Sequence, residues 1–449
     1  MNGPRFAAAV VGAGPAGLAA ALRLQGLGAA VTVFDSAPAA GGRACTDSVA
    51  GFHVDPAVQL LSSGYASTLR VARAVGADRL LQRSPGRDAL WRKGRAHEVV
   101  YGSPASMLAS GALPLALKLR MGAQYLPFLQ RHGSALDLAA LERAAGAGLD
   151  AESAAAWGQR ELGSDFVDLL VAPLLATLYG TGPDEASAGF YHALAHQGMN
   201  LQVMALAGGI GEFGRVCAER IAAGAGSLRL GTPVHAVETD GARVHLSGDG
   251  WTESFDAAVL AMPAPAALGV AKFLTPQAAE RLARVRVRPA ASLALLLDRP
   301  LGVRWFGLSF ARGESRVAAA LCAEENKVSG LVPPGKGLLV VFAQPRTAGR
   351  LAGADAAEAL RELMPDVARV FPRIESTVQE ARLYTWSHGW TVFYPGHLGA
   401  LPALRSAAFD AADRVALAGD YLHAPTVEGA VTSGLAAAER LASRIAPNS

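Results

Sequence analysis

Apolar positions fill the start of the chain in a pattern whose period changes twice. An unbroken apolar run from Phe6 to Val11 shows no alternation and predicts a strand buried on both faces. Gly12-Ala13-Gly14-Pro15-Ala16-Gly17 follows without a polar break, and the Ala/Leu-rich stretch from Leu18 to Leu27 has helical spacing. A second run, Ala30 to Phe34, predicts another strand and ends on Asp35. At the far end a short apolar run, Val415 to Ala418, leads into Gly419-Asp420, and a helix is predicted to open near Val427 and Glu428. Between these ends, Val99 to about Gly198 reads as helical. "PVHAVETDGARVHLSGDG" (233–250) alternates as two strands joined at Asp240-Gly241, and "FDAAVLAMPAPAAL" (255–268) reads as a strand ending at a proline-bearing turn. Residues 290–345 alternate apolar segments with Gly/Pro turns, which predicts an antiparallel sheet under a pocket. No internal repeat or disordered tract interrupts the chain.

The turn at 12–17 has the spacing of a dinucleotide cradle. Gly12 permits the tight turn, Gly14 lets backbone approach a pyrophosphate, Gly17 lets helix and strand pack closely, and the helix N-terminus offers N–H donors and partial positive charge. Asp35 stands where a ribose 2′-hydroxyl would seek an acceptor, and a carboxylate suits that hydroxyl better than a 2′-phosphate. Strand, turn, helix, strand and acid fall in order, which a lone glycine-rich loop does not provide. In "SAPAAGGRACT" (36–46), Gly41-Gly42-Arg43 follow the acid after one short loop.

With that "GG-R" the chain resembles the flavoprotein superfamily of amine oxidases, protoporphyrinogen oxidases and phytoene desaturases. The resemblance implies an α/β fold in which a Rossmann-type FAD-binding domain, of the two-dinucleotide-binding-domain kind, is interleaved with an α+β substrate-binding domain. The FAD-binding parts would be 1–90, 206–270 and 396–449; a mainly helical insertion at 91–205 and a sheet at 271–395 would form the substrate domain. FAD would be held non-covalently, since the aligned region has no cysteine to bond it. Gly12, Ala13, Gly14, Pro15, Ala16, Gly17, Asp35 and Ser36 would bind it from the first unit. Gly42 and Arg43 would lie over the pyrophosphate, and Ala57 and Val58 of "DPAVQLL" would add contacts. Val234 would touch the adenine through its backbone. Gly419 and Asp420 would meet the ribityl-pyrophosphate region, while the helix start at Val427 would point N–H groups at the pyrimidine end of the isoalloxazine, where reduced flavin carries negative charge.

"GGIGEFG" (208–214) also matches the glycine spacing through Gly209, Gly211 and Gly214, ahead of a predicted helix from Arg215 to Ala222. A second nucleotide site would need a buried parallel strand ending in an acid next, whereas an antiparallel hairpin follows, so no NAD(P)H site is expected. The family carries a glycine pair here that opens a helix.

Composition narrows the partners. Net charge is +3 and no Lys/Arg cluster is interleaved with aromatics, which argues against nucleic acid. Cys45, Cys217 and Cys322 lie far apart and form no CxxC, so neither a disulfide framework nor a dithiol centre is indicated, and a cytoplasmic setting fits. The first strand begins without a charged leader and cleavage site, so no signal peptide is expected. No HExxH or paired Cys/His spacing suggests a metal. "SGALPLALKLRMGAQYLPFLQRH" (110–132) sets Leu, Met, Tyr and Phe against Lys118, Arg120, Arg131 and His132 at roughly helical spacing. It reads either as an ordinary helix packing inward or as a basic amphipathic helix in peripheral membrane contact.

The resemblance implies dehydrogenation of an apolar small molecule, introducing C=C or C=N, with hydride passing to flavin N5 and electrons leaving to O2, a quinone or another acceptor. Gln59, Tyr179, Trp390 and Phe393 are the candidates facing the flavin, more as walls than as acids or bases; His388 and His397 are candidate bases. "PLLATLYGTGPDEASAG" (173–189) is similar to protoporphyrinogen oxidases, and "LAGDY…EGAV" to phytoene desaturases. Flavin amine oxidases often place an aromatic just before the "EGAV" turn, where this chain has Thr426, although Trp390 in "YTWSHGWTVFYPG" stands for the other wall. An amine or amino-acid oxidase producing an imine and H2O2 remains the alternative.

Overall fold

Strands too apolar to face water on either side form the first sheet of the computed structural model, which describes residues 5–100, 103–199, 201–410 and 412–445. The sheet has five strands in the order Gly226–Arg229, Ala29–Phe34, Phe6–Val11, Ala257–Leu260, Val415–Leu417. All four pairings are parallel. Ala8, Val10, Val31, Val33 and Val259 pack under helices Pro15–Gly26, Gly211–Ala222 and Val427–Ile445. The opposite face, with Val11, Phe34, Leu260 and Leu417, is covered by the three-stranded sheet Ala236–Thr239, Val244–Gly248, Trp251–Phe255. Its first two strands form the hairpin read at Asp240-Gly241. The first and last helices touch backbone to backbone: a β-carbon on Gly434 would stand 2.0 Å from the Ala16 carbonyl oxygen.

A second sheet of seven strands runs Val378–Val392, Arg286–Leu297, Gly337–Ala343, Ala318–Ala323, Gly307–Phe310, Arg87–Arg92, Arg95–Val100. Its pairings are antiparallel except that of Gly307–Phe310 with Arg87–Arg92. Leu293, Leu295, Leu321, Leu339 and Val341 face helix Ala356–Val370 through Leu363 and Val367. Alternation then turns Ala294, Ala320, Cys322 and Phe342 to the other face, where the site lies. Val99, read as the start of the helices, is instead in strand Arg95–Val100, which pairs with Arg87–Arg92 (Asp88 opposite Val99) and so carries the sheet across residue 90. The short strand Gly226–Arg229 had no legible pattern; pairing with Ala29–Phe34 makes it.

Helices occupy the chain from Pro104 to Gly198. Segments Leu115–Arg120, Met121–Tyr125 and Leu126–His132 succeed one another without a break, through one π-helical turn. Leu117, Tyr125 and Leu129 face the helical core, yet the outer side is apolar too: Leu115 is 71% and Leu119 65% exposed. No described helix is long and apolar enough to cross a membrane.

His192 lies fully buried in this core, its ring 4.2 Å from that of Trp157 and 4.8 Å from Phe128. Burial pushes its pKa down to about 3, with His132 adding repulsion. A folded pKa below the unfolded value means the unfolded chain binds more protons in acid, so this histidine costs stability as pH falls below about 6.5. Wild type should therefore lose stability relative to His192→Phe by about 1.4 kcal/mol per pH unit between roughly pH 6 and 4. Urea melts across that range measure the difference, and a flat difference would mean the buried ring already carries its proton.

Candidate active site

One cavity of about 910 Å³ runs from the opening turn to the inner face of the seven-stranded sheet. Its first end is built by the glycine turn. Gly12 has φ +106°, and a β-carbon there would stand 2.3 Å from the Ala261 carbonyl oxygen. Gly17 serves packing: its β-carbon would be 1.8 Å from the Gly12 carbonyl oxygen. Gly14 lines the cavity with no atom within 4 Å of where a side chain would begin, and the helix it opens has no side-chain cap. First-turn N–H groups left uncapped beside an open cavity suit a diphosphate. Asp35 Oδ2 accepts the Ala13 N–H at 2.6 Å and Oδ1 the Ala37 N–H at 2.8 Å, which fixes the carboxylate on the cavity wall.

Gly12, Gly14, Pro15, Ala16, Asp35, Ser36, Gly42, Arg43, Ala57, Val58, Val234, Gly419, Asp420 and Val427 all line this cavity; Ala13 and Gly17 lie behind it. Arg43 donates to the Gly389 carbonyl at 2.7 Å and pairs with Asp420 at 3.1 Å, and Thr391 donates to Asp420 at 3.0 Å. The loop after Asp35, the strand Val378–Val392 and the C-terminal turn thus meet at one point. Thr426 accepts the Gly429 N–H at 3.0 Å and so caps the last helix, whose start lines the cavity. Glu428 turns away to receive the Ser67 and Thr68 N–H groups, each at 2.8 Å.

Of the flavin-facing candidates, Gln59, Tyr179 and Trp390 line the cavity. Trp390 lies over Gly180, whose β-carbon would be 2.2 Å from the indole, and Gly180 takes φ +54° to end the helix carrying Tyr179. Phe393 is a correction: it lies just past the end of strand Val378–Val392, is 1% exposed and packs on Phe190 and His397 in the helical core. His397 is buried beside it, with burial pushing its pKa down to about 4. His388 does line the cavity.

The second glycine motif is spent on packing. A β-carbon on Gly209 would meet Thr46 and Asp55, and one on Gly214 would meet Gly41. The donors at this helix start go to protein: Ile210 N–H to Asp55 Oδ1 at 3.0 Å and Gly211 N–H to Thr46 Oγ1 at 2.7 Å.

Behind Gln59 lies a buried charge cluster that the sequence did not reveal. Lys327, with no exposed surface, reaches Asp55 Oδ2 at 2.7 Å, Glu324 at 2.6 Å and Gln59 Oε1 at 2.6 Å. Gln59 Nε2 donates to the Asp55 carbonyl. Burial opposes the lysine's charge, but the two carboxylates outweigh it and hold its pKa above the ordinary value; burial pushes Glu324 up, against the pull of Lys327. Removing the lysine alone would strand two buried acids, at a cost of about 3–5 kcal/mol. Asp88 and Cys322 also line the cavity, although one acid in a strand and an isolated cysteine carry no spacing signal in the sequence. No group of His, Cys, Asp and Glu among the described residues could hold a metal.

A model of the flavin containing amine oxidoreductase family matches residues 15–442, and the chain belongs to that family. It is an FAD-dependent oxidoreductase. A candidate protoporphyrinogen oxidase from Exiguobacterium sp. 255-15 is similar in structure, with TM-score 0.77, 16% identity, and 98% of this chain and 99% of that one covered. Cyclohexylamine oxidase from Brevibacterium oxydans IH-35A is similar at TM-score 0.75 and 21% identity, with the same coverage. Reduced UDP-galactopyranose mutase matches at TM-score 0.71 and 14% identity, covering 99% of this chain and 96% of that one, so the fold alone does not assign a substrate. No curated protein sequence matches the chain.

FAD fits the cradle described, and two glycines separate its binding from folding. Gly14→Ala should fold to within about 1 kcal/mol of wild type, because its β-carbon meets nothing. It should still lose most of its FAD, because that carbon stands where a pyrophosphate approaches. Gly17→Ala should lose both FAD and stability, by roughly 1–3 kcal/mol for overpacking. Flavin absorbance and urea melts of the apoproteins distinguish the two; equal destabilisation would refute the division of roles.

Proposed function

We propose that the enzyme dehydrogenates an apolar small molecule, creating a C=C or C=N bond, with non-covalently held FAD supplying the hydride acceptor and O2 or a quinone-type acceptor taking the electrons onward. The observation that carries this reading is the continuity of the cavity. It passes from the cradle at Gly14 to Leu174, Leu178, Phe306 and Phe342, so the cofactor's ring end and an apolar substrate would share one continuous space. Trp390 and Tyr179 wall that space, and Gln59, its amide oxygen held by Lys327, presents a fixed amide to it. The substrate gives up one hydride and one proton, and the proton leaves to water or to a wall base such as His388.

Thr426 in the place of an aromatic favours C=C formation over an amine oxidase cage, though an imine-forming oxidase remains the second reading because the family and the cyclohexylamine oxidase likeness support it. Anaerobic mixing with NADPH should leave the yellow absorbance intact, while a true substrate bleaches it stoichiometrically and air or a quinone restores it. Acid precipitation should release all the flavin. Rapid bleaching by NADPH alone, or colour retained in the pellet, would overturn the respective part of the reading.

The outward face of 104–132 supports a peripheral contact with an anionic lipid surface. Leu108, Leu115, Leu119 and Leu126 are exposed there, and residues 99–136 contain Lys118, Arg120 and Arg131 but no acid. Leu178, also exposed, belongs to the cavity wall. Vesicles containing phosphatidylserine should sediment the wild type, and Leu115→Ser with Leu119→Ser should stay in solution; binding unchanged by the double variant would remove this contact.

A further inference from the structure

The substrate half of the cavity reaches the far side of the seven-stranded sheet. Asp88 stands there on strand Arg87–Arg92, in register with Gly307, which is itself opposite Cys322. Five strand steps separate it from Val378–Val392, where Arg43 bonds the Gly389 carbonyl. At the usual spacing that is about 24 Å along the sheet. Asp88 is 9% exposed and lines the cavity. Its Oδ1 accepts the Gly307 N–H at 2.7 Å, and no described group donates to Oδ2. No described arginine or lysine pairs with it; Lys327, a buried cation, is taken by Asp55 and Glu324. Two hydroxyls lie close by on the wall, with Thr177 donating to Ser309 at 2.9 Å.

A carboxyl kept out of water without a counter-charge is costly unless it is protonated or a ligand pairs with it. Burial pushes this one up to about 7, against the pull of the Gly307 N–H. Near neutral pH the vacant carboxyl is therefore poised between its two forms, and a cation arriving from the cavity would commit it to the charged one.

We propose that Asp88 determines substrate specificity by receiving a basic nitrogen, an alkylammonium or its equivalent, at the end of an apolar substrate remote from the bond that is oxidised. The proposal rests on the reading of this cavity as an oxidoreductase site and narrows its substrate class. The acid anchors one terminus by a charge-assisted hydrogen bond through Oδ2, the apolar wall of Phe306, Phe342 and Leu174 covers the middle, and the reacting carbon is delivered toward Trp390. An uncharged hydrocarbon of the same length would leave the acid without a partner and bind less well.

Binding, rather than turnover, tests this. Hexyl, octyl and decyl amines and the matching alcohols are titrated into the FAD-loaded enzyme by calorimetry at neutral pH, with wild type and Asp88→Asn. Asparagine keeps an oxygen for the Gly307 N–H, so it preserves the local strand pairing. Wild type should bind each amine about 30-fold more tightly than its alcohol, the scale of a charge-assisted hydrogen bond. In Asp88→Asn the preference should collapse to about threefold or less through weaker amine binding alone. Equal affinity for amine and alcohol in wild type overturns the proposal whether or not the variant folds, and so does an amine preference that survives in Asp88→Asn. The oxidoreductase reading fails separately, if no substrate bleaches the flavin while amines still bind preferentially.

Discussion

The positive charge of Lys327 is the constraint on which the geometry of the site turns. It is wholly buried, and such a charge persists only where opposite charges and hydrogen bonds replace water. Asp55, Glu324 and Gln59 do so, and they come from different parts of the chain: the loop after strand Phe52–Val54 and the turn after strand Ala318–Ala323. Asp55 extends the network to Ile210 and to Thr46, whose hydroxyl donates to it at 2.5 Å. A single ammonium group therefore ties the seven-stranded sheet to the cofactor-side loop and to the helix start at 210, and it leaves Gln59 one orientation. Because Lys327 can only donate, the amide oxygen must face it and the amide nitrogen must face the Asp55 carbonyl.

Three helix starts carry similar glycine-rich or small-residue turns, and their capping decides what each can hold. The helix after Gly14 has no cap and opens on the cavity. The helix after Gly209 has its donors taken by Asp55 and Thr46. The last helix is capped by Thr426 yet still presents its start to the cavity. Orphan N–H groups must be satisfied by protein, water or ligand, so the helix left uncapped beside a cavity is the one fitted for an anion.

The inner face of the seven-stranded sheet shows how one strand period serves two purposes. Leu293, Leu295, Leu339 and Val341 alternate onto helix Ala356–Val370, while Phe342, Cys322 and Gly307 lie on the other face and line the cavity. The same alternation brings Asp88 to the cavity face rather than into the core.

Units whose signal is local were legible along the chain. Strand Phe6–Val11, the turn at Gly12, strand Ala29–Phe34 ending at Asp35, the hairpin through Asp240-Gly241 and the helix opening at Val427 are each written in short-range spacing, and each formed where that spacing placed it. Which side chains share the cavity was set by long-range packing. Phe393 and Trp390 are three positions apart in an aromatic-rich stretch, yet one packs in the helical core and the other lines the cavity. Lys327 meets Asp55 across 272 residues, and Ile210 meets Asp55 across 155. No periodicity records such a meeting, because its energy comes from excluding water around charges that only the folded chain brings together.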